Sequence, residues 1–157
     1  MSVDERMVHD IVQKVMANMQ ISGSVSGMHG VFKDMNDAIN ASIEAQKKVC
    51  TMTLDQREQI ISLIRKKTHE NAEILANMGV NETGMGNVGD KILKHHLTAD
   101  KVPGTEDIST IAWSGDRGLT LVEMGPFGVI GAITPATNPS ETVICNCIGM
   151  LAGGNTV

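Results

Sequence analysis

The sequence predicts an α/β fold, with helices through roughly the first hundred residues followed by strands of a parallel sheet. Three observations carry this. Apolar residues recur at three- and four-residue steps up to Leu97. After Pro103-Gly104 the pattern changes to β-branched and apolar runs at 119–124 and 127–133, separated by Gly125-Pro126. From Phe127 onward the order strand, loop, helix, strand is that of a βαβ unit.

The first predicted element is an amphipathic helix within residues 1–20. Val3, Met7, Val8, Ile11, Val12, Val15, Met16 and Met19 share a face, with Asp4, Glu5, Arg6, Asp10, Gln13 and Lys14 between them. Residues 21–30 include Ile-Ser-Gly-Ser-Val-Ser-Gly, a small and polar composition expected of a flexible linker. Residues 31–157 form the main body. Its first helix is expected to start near Asp34 and end near Cys50, with the small face Ala38, Ser42 and Ala45 suited to close helix packing.

Thr53-Leu-Asp-Gln56 has the spacing of a capping box, in which the Thr hydroxyl and the Gln side chain each satisfy a free backbone N–H. A long helix should follow, burying Ile60, Ile61, Leu63, Ile64, Ile74, Leu75 and Met78, showing Arg65, Lys66 and Lys67 to solvent, and stopping at Gly79. A glycine-rich turn at 81–86 precedes another helix over 88–97.

The run 127–133 is apolar at successive positions, as in a parallel strand covered on both faces. Pro135 and Pro139 make 134–139 a loop, and residues 140–151 a helix with Ser140 as candidate N-cap. Asn155-Thr-Val157 starts a further strand, so the βαβ unit is expected to be incomplete within these residues.

Composition narrows the function. The net charge is −5 and spread along the chain, which offers no basic face for a phosphate backbone, so nucleic acid is not an expected partner. No apolar run approaches the ~20 residues of a membrane span, and the start lacks the pattern of a secretory signal. A cytoplasmic protein without membrane partners is expected. Three cysteines make no paired framework, as suits a reducing compartment. With 2% aromatic residues, the core must be built from Ile, Val, Leu, Ala and the eleven Met.

Several segments resemble one family. Glu82-Thr-Gly84, the strand and loop Gly-Val-Ile-Gly-Ala-Ile-Thr-Pro-Ala-Thr-Asn-Pro at 128–139, and Gly-Gly-Asn-Thr-Val at 153–157 are similar to stretches of the aldehyde dehydrogenase superfamily. The loop 134–143, Thr-Pro-Ala-Thr-Asn-Pro-Ser-Glu-Thr-Val, together with 113–123, resembles its CoA-acylating branch, which includes enzymes enclosed in bacterial microcompartments. The resemblance implies the aldehyde dehydrogenase fold, with N-terminal helices and the opening strands of a Rossmann-like nucleotide-binding domain. It also implies NAD-dependent oxidation of a short aliphatic aldehyde to its acyl-CoA through a cysteine thioester, with coenzyme A as co-substrate and a homo-oligomeric assembly.

Addition of a thiolate to an aldehyde places negative charge on the carbonyl oxygen, which a fixed hydrogen-bond donor must meet. The resemblance assigns that role to Asn138; on the residues alone, an Asn before Pro139 can equally be a turn initiator. Thr134 and Pro135 are implied to line the nicotinamide end of the cofactor site, although a Thr-Pro pair also ends strands. The resemblance places the nucleophilic cysteine beyond residue 157, and neither Cys50, Cys145 nor Cys147 matches its motif. These residues alone are therefore expected to be inactive.

In the same resemblance, residues 3–19 are a targeting helix that binds microcompartment shell protein, which places the protein inside that compartment. Periodicity alone equally allows a helix that packs on its own domain or on a dimer mate. The alternative function is a non-catalytic cargo or assembly module. The glycine stretches lack the phosphate-binding turn in its strand-to-helix setting. No metal site is expected: His95 and His96 point about 100° apart on a helix and are read as surface residues.

Overall fold

The computed structural model describes residues 30–157. The predicted helix and the linker up to Met28-His29 lie outside the described residues. Helix α1 (Met35–Val49) begins where Asp34 Oδ1 accepts from the backbone N–H of Asn36 at 2.8 Å. Residues 39–157 form one compact unit. In it α2 (Leu54–Thr83) and α3 (Val88–Lys101) pack together, a 3-10 turn (Thr105–Asp107) follows, and a hairpin of β1 (Ile111–Gly115) and β2 (Gly118–Val122) precedes α4 (Pro139–Ala152).

The capping box forms as its spacing predicts: Thr53 Oγ1 accepts from Gln56 N at 3.2 Å, and Gln56 Oε1 accepts from Thr53 N at 3.0 Å. Helix α2 does not stop at Gly79. Gly79 is buried inside the helix, its carbonyl accepts from Thr83 Oγ1, and the chain turns only at Gly84, which holds φ 67° in the left-handed region where a Cβ is disfavoured. A glycine one turn before the end was read as the end itself.

The face that α2 buries is narrower than its apolar pattern suggests. Ile61, Thr68, Ala72, Ala76 and Gly79 are buried, whereas Leu63, Ile74 and Met78 are more than half exposed. Small residues at the α2–α3 seam, with Ala99 on α3, let the two backbones approach. Arg65 is half-buried rather than displayed: its Nη2 donates to Val102 O at 3.0 Å and to Glu106 Oε1 at 2.8 Å, tying α2 to the end of α3. The core is Ile61, Ile148 and Ala152, flanked by Ile64, Val102, Ile144 and Leu151. Methionine contributes little; Met35, Met78, Met85 and Met124 are exposed.

The small face of α1 serves hydrogen bonding to the end of the chain. Ser42 Oγ bonds Thr156 Oγ1 at 3.0 Å, while Gln46 donates to Gly154 O and accepts from Thr156 N. Gly154, at φ 81°, lies where a Cβ would come within 3.2 Å of Arg57 Nη1. That guanidinium caps α4 by donating to Ala152 O at 2.6 Å.

The expected strand at 119–124 is the second arm of an antiparallel hairpin, with Ile111 opposite Val122 and a two-residue turn at Asp116-Arg117. Its first arm was not foreseen. The parallel pairing of 127–133 is present only as a bridge between Val129 and Thr156, with Ile130 N donating to Thr156 O at 2.9 Å and Thr156 N to Gly128 O at 3.1 Å. Asn155 braces it, its Oδ1 accepting from Phe127 N and Gly128 N. The expected two-sided burial is not found: Phe127 is 96% and Ile133 97% exposed, because no described element covers either face there.

Candidate loop and helix junction

Thr134, Pro135 and Thr137 sit on the exposed loop between the Val129 bridge and α4, where the prolines keep the backbone out of a ladder. The N-cap of α4 is Asn138, not Ser140. Pro139 stands at N1, where its missing N–H would have had no intrahelical partner, and Thr142 N donates to Asn138 O at 3.2 Å.

At this N-cap the carboxamide does not cap. With φ −143° and ψ 64°, Asn138 makes no side-chain bond to the helix N–H groups. Its Oδ1 instead accepts from Lys94 Nζ at 2.6 Å, and Nδ2 makes only a long 3.4 Å contact with Thr137 Oγ1. The oxygen is thus held from α3, and of the two amide hydrogens only one is engaged, weakly, by Thr137. Beside it a groove of about 380 Å³ is lined by Met85, Asn87, Lys91, Lys94, Thr137 and Asn138. The turn after α2, at Met85 to Asn87, and the 134–139 loop thus meet beside α3, whose start Asn87 Oδ1 caps by accepting from Asp90 N.

Beneath the loop lies a buried polar network not anticipated from the sequence. Lys91 Nζ donates to Thr137 O at 2.6 Å and stands 3.7 Å from Glu141 Oε1, with both side chains more than nine-tenths buried. Glu141 Oε2 accepts from Ser140 Oγ at 3.2 Å, while Oε1 has no hydrogen-bond partner. Ser140 Oγ also bonds His95 Nε2 at 2.8 Å, and His95 Nδ1 donates to Lys91 O at 2.7 Å. With Nδ1 donating to a carbonyl, the neutral ring leaves Nε2 as an acceptor that competes with Glu141 Oε2 for the one Ser140 hydroxyl proton.

His95 was read as a surface residue and is fully buried. It faces α4, whereas its neighbour His96 turns toward α2, where Nδ1 lies 2.7 Å from Nδ1 of His69. Periodicity marks apolar residues as inward and has no term for a histidine whose ring is satisfied at both nitrogens. The available signal was spacing: Lys91, His95 and Ala99 fall at i, i+4, i+8, one stripe of α3.

The cysteines are not arranged as nucleophiles. Cys147 is half-buried on α4, and burial pushes its thiol above the ordinary range. Cys145 is exposed on the same helix, and Cys50 accepts from Gln46 Nε2 at 3.2 Å. No helix among the described residues is long and apolar enough to cross a membrane.

The α/β body, with its loop leading to Asn138 at a helix start, matches one known family over most of its length. The aldehyde dehydrogenase family model matches residues 13–157, and the chain belongs to that family. It is 46% identical over 162 residues to the acetaldehyde dehydrogenase (acetylating) of Bilophila wadsworthia, an alignment covering 98% of this chain and 33% of the relative. The solved propionaldehyde dehydrogenase from the Clostridium phytofermentans fucose utilisation bacterial microcompartment is 77% identical, with a TM-score of 0.78 over 82% of this chain and 29% of that one. A Rhodopseudomonas palustris propionaldehyde dehydrogenase, solved with bound CoA and an acylated cysteine, is 49% identical with a TM-score of 0.76, covering 80% and 29%. The chain thus has the aldehyde dehydrogenase fold and spans about a third of the length of the curated relative it matches.

Proposed function

We propose that the protein to which these residues belong oxidises a short aliphatic aldehyde to its acyl-CoA with NAD, through a cysteine thioester. The observation that carries this is the Asn138 carboxamide: it occupies a helix N-cap without capping, its oxygen is bound by Lys94, and its Nδ2 makes only a long 3.4 Å contact with Thr137 Oγ1. In this reading Nδ2 donates to the aldehyde oxygen as it gains negative charge. One such donor is worth ~3 to 4 kcal/mol in the transition state.

Thr134 and Pro135 are assigned to the nicotinamide end of the cofactor site. The chemistry there fits: residues 131–137 carry no charge, Thr134 presents a hydroxyl, and Pro135 offers a rigid ring surface on an exposed loop. A nicotinamide held there would supply the hydride acceptor that oxidation of the thiol adduct to the thioester requires. Lys91 holds the loop in place by its bond to Thr137 O. None of the three cysteines is assigned as nucleophile; the raised thiol of Cys147 in particular opposes that role.

Acetaldehyde or propionaldehyde is the proposed substrate, supported by the names of the relatives. Residues 3–19 are proposed to bind microcompartment shell protein, within a division into a targeting helix at 1–20, a linker at 21–30 and a catalytic body from 31. The enclosed location of the Clostridium phytofermentans relative and the short apolar face of that helix support this. A homo-oligomer inside the microcompartment completes the proposal. The test is Asn138→Ala in the complete protein: kcat should fall by about 100-fold or more, and a kcat within twofold of the parent would refute the assignment.

A further inference from the structure

The bond between Lys94 and Asn138 has a chemical consequence for the proposed reaction. Lys94 lies one helical turn beyond Asp90 on α3, the usual spacing for an ion pair. Yet Lys94 makes no salt bridge among the described residues, and the Asp90 carboxylate instead accepts from Asn87 Nδ2 at 2.6 Å. The Lys94 ammonium is spent on a neutral amide oxygen, at 2.6 Å.

We infer that Lys94 is a positioning residue that fixes and polarises the Asn138 carboxamide for oxyanion binding. This rests on the role proposed for Asn138. Two effects follow from the geometry. Holding Oδ1 on Lys94 selects the rotamer in which Nδ2, the donor, is turned away from that cation, and a flip that presented oxygen to a developing anion would break the Lys94 bond. A cation on Oδ1 also favours the amide resonance form with positive charge on nitrogen, which makes Nδ2–H a stronger donor. Such a donor discriminates between a neutral carbonyl and an oxyanion, so its benefit falls on the transition state and on kcat rather than on substrate binding. Lys94 need not touch the substrate.

The alternative is that Lys94 merely staples α3 to the loop. Lys91 already does this from a buried position, by its 2.6 Å bond to Thr137 O, whereas Lys94 is exposed. Removing Lys94 should therefore leave the fold intact.

The experiment is a double-mutant cycle in the complete protein with Lys94→Met, Lys94→Arg, Asn138→Ala and the Lys94→Met/Asn138→Ala pair. Propionaldehyde, NAD and CoA are the substrates, and the thermal midpoint of each variant is measured. Lys94→Met should lower kcat by about tenfold with KM for propionaldehyde and the thermal midpoint unchanged. Lys94→Arg, which keeps the cation, should recover most of that loss. The pair should be no slower than Asn138→Ala alone. If Asn138→Ala is slow while Lys94→Met matches the parent, or if the two losses multiply in the pair, the inference about Lys94 is overturned while the role of Asn138 survives. If Asn138→Ala itself is as fast as the parent, the reading on which the inference rests has failed, and the inference falls with it.

Discussion

Lys91 and Glu141 face each other across the α3–α4 seam, Nζ to Oε1 at 3.7 Å, with side chains 5% and 7% exposed. The pair is imperfect, since Glu141 Oε1 has no hydrogen bond of its own and Lys91 gives its short bond to Thr137 O. Its structural result is that one buried ammonium serves both the helix start and the loop before it.

Breaking this pair from one side strands a buried charge. Lys91→Met should destabilise the protein by about 3 to 5 kcal/mol, and Lys91→Met/Glu141→Leu by much less, because the second change removes the orphaned carboxylate. Denaturant unfolding of the two variants checks this. Equal losses in both would mean that the ion pair itself, and not the stranded charge, is what matters.

The Arg65 guanidinium beside Glu106, bonded at 2.8 Å, holds that carboxyl below its ordinary value of 4.5. Because the folded value is the depressed one, the contribution to stability is fully present above about 4.5 and is lost as pH falls through the lowered value. Glu106 is half exposed, so the effect should stay below about 1 kcal/mol. Unfolding midpoints followed into acid should fall less steeply for Glu106→Gln than for the parent.

Two thiols on one helix should differ in reactivity. Burial raises the Cys147 thiol, while Cys145 is exposed. The raised value leaves less thiolate at Cys147 than an ordinary thiol would carry, and access to it is poorer. Iodoacetamide at mildly alkaline pH, with peptide mass analysis over time, should label Cys145 first; the reverse order would contradict the burial described for α4.

Much of the helical scaffold was legible because its signals are local. Thr53 and Gln56 announce their helix start by spacing alone, whereas the start of α4 lies at Asn138, two residues before the expected cap Ser140. What failed to read was relational. Gly79 resembles a stop because glycine near a helix end is a common C-cap, whereas the left-handed residue that ends this helix is Gly84. Leu63 and Ile74 follow helical periodicity yet lie exposed among the described residues, since periodicity names a face but not its partner. The site divided in the same way. Asn138, Thr134 and Pro135 were singled out by resemblance, whereas Lys91, Lys94 and His95 matter through bonds spanning more than forty positions, to Thr137, Asn138 and Ser140.

The most direct test of the central claim is the product formed from propionaldehyde by the complete protein supplied with NAD, with and without CoA. NADH and propionyl-CoA should form in equal amounts when CoA is present, with almost no turnover without it. Sustained NADH formation without CoA, with free propionate as the product, would contradict it.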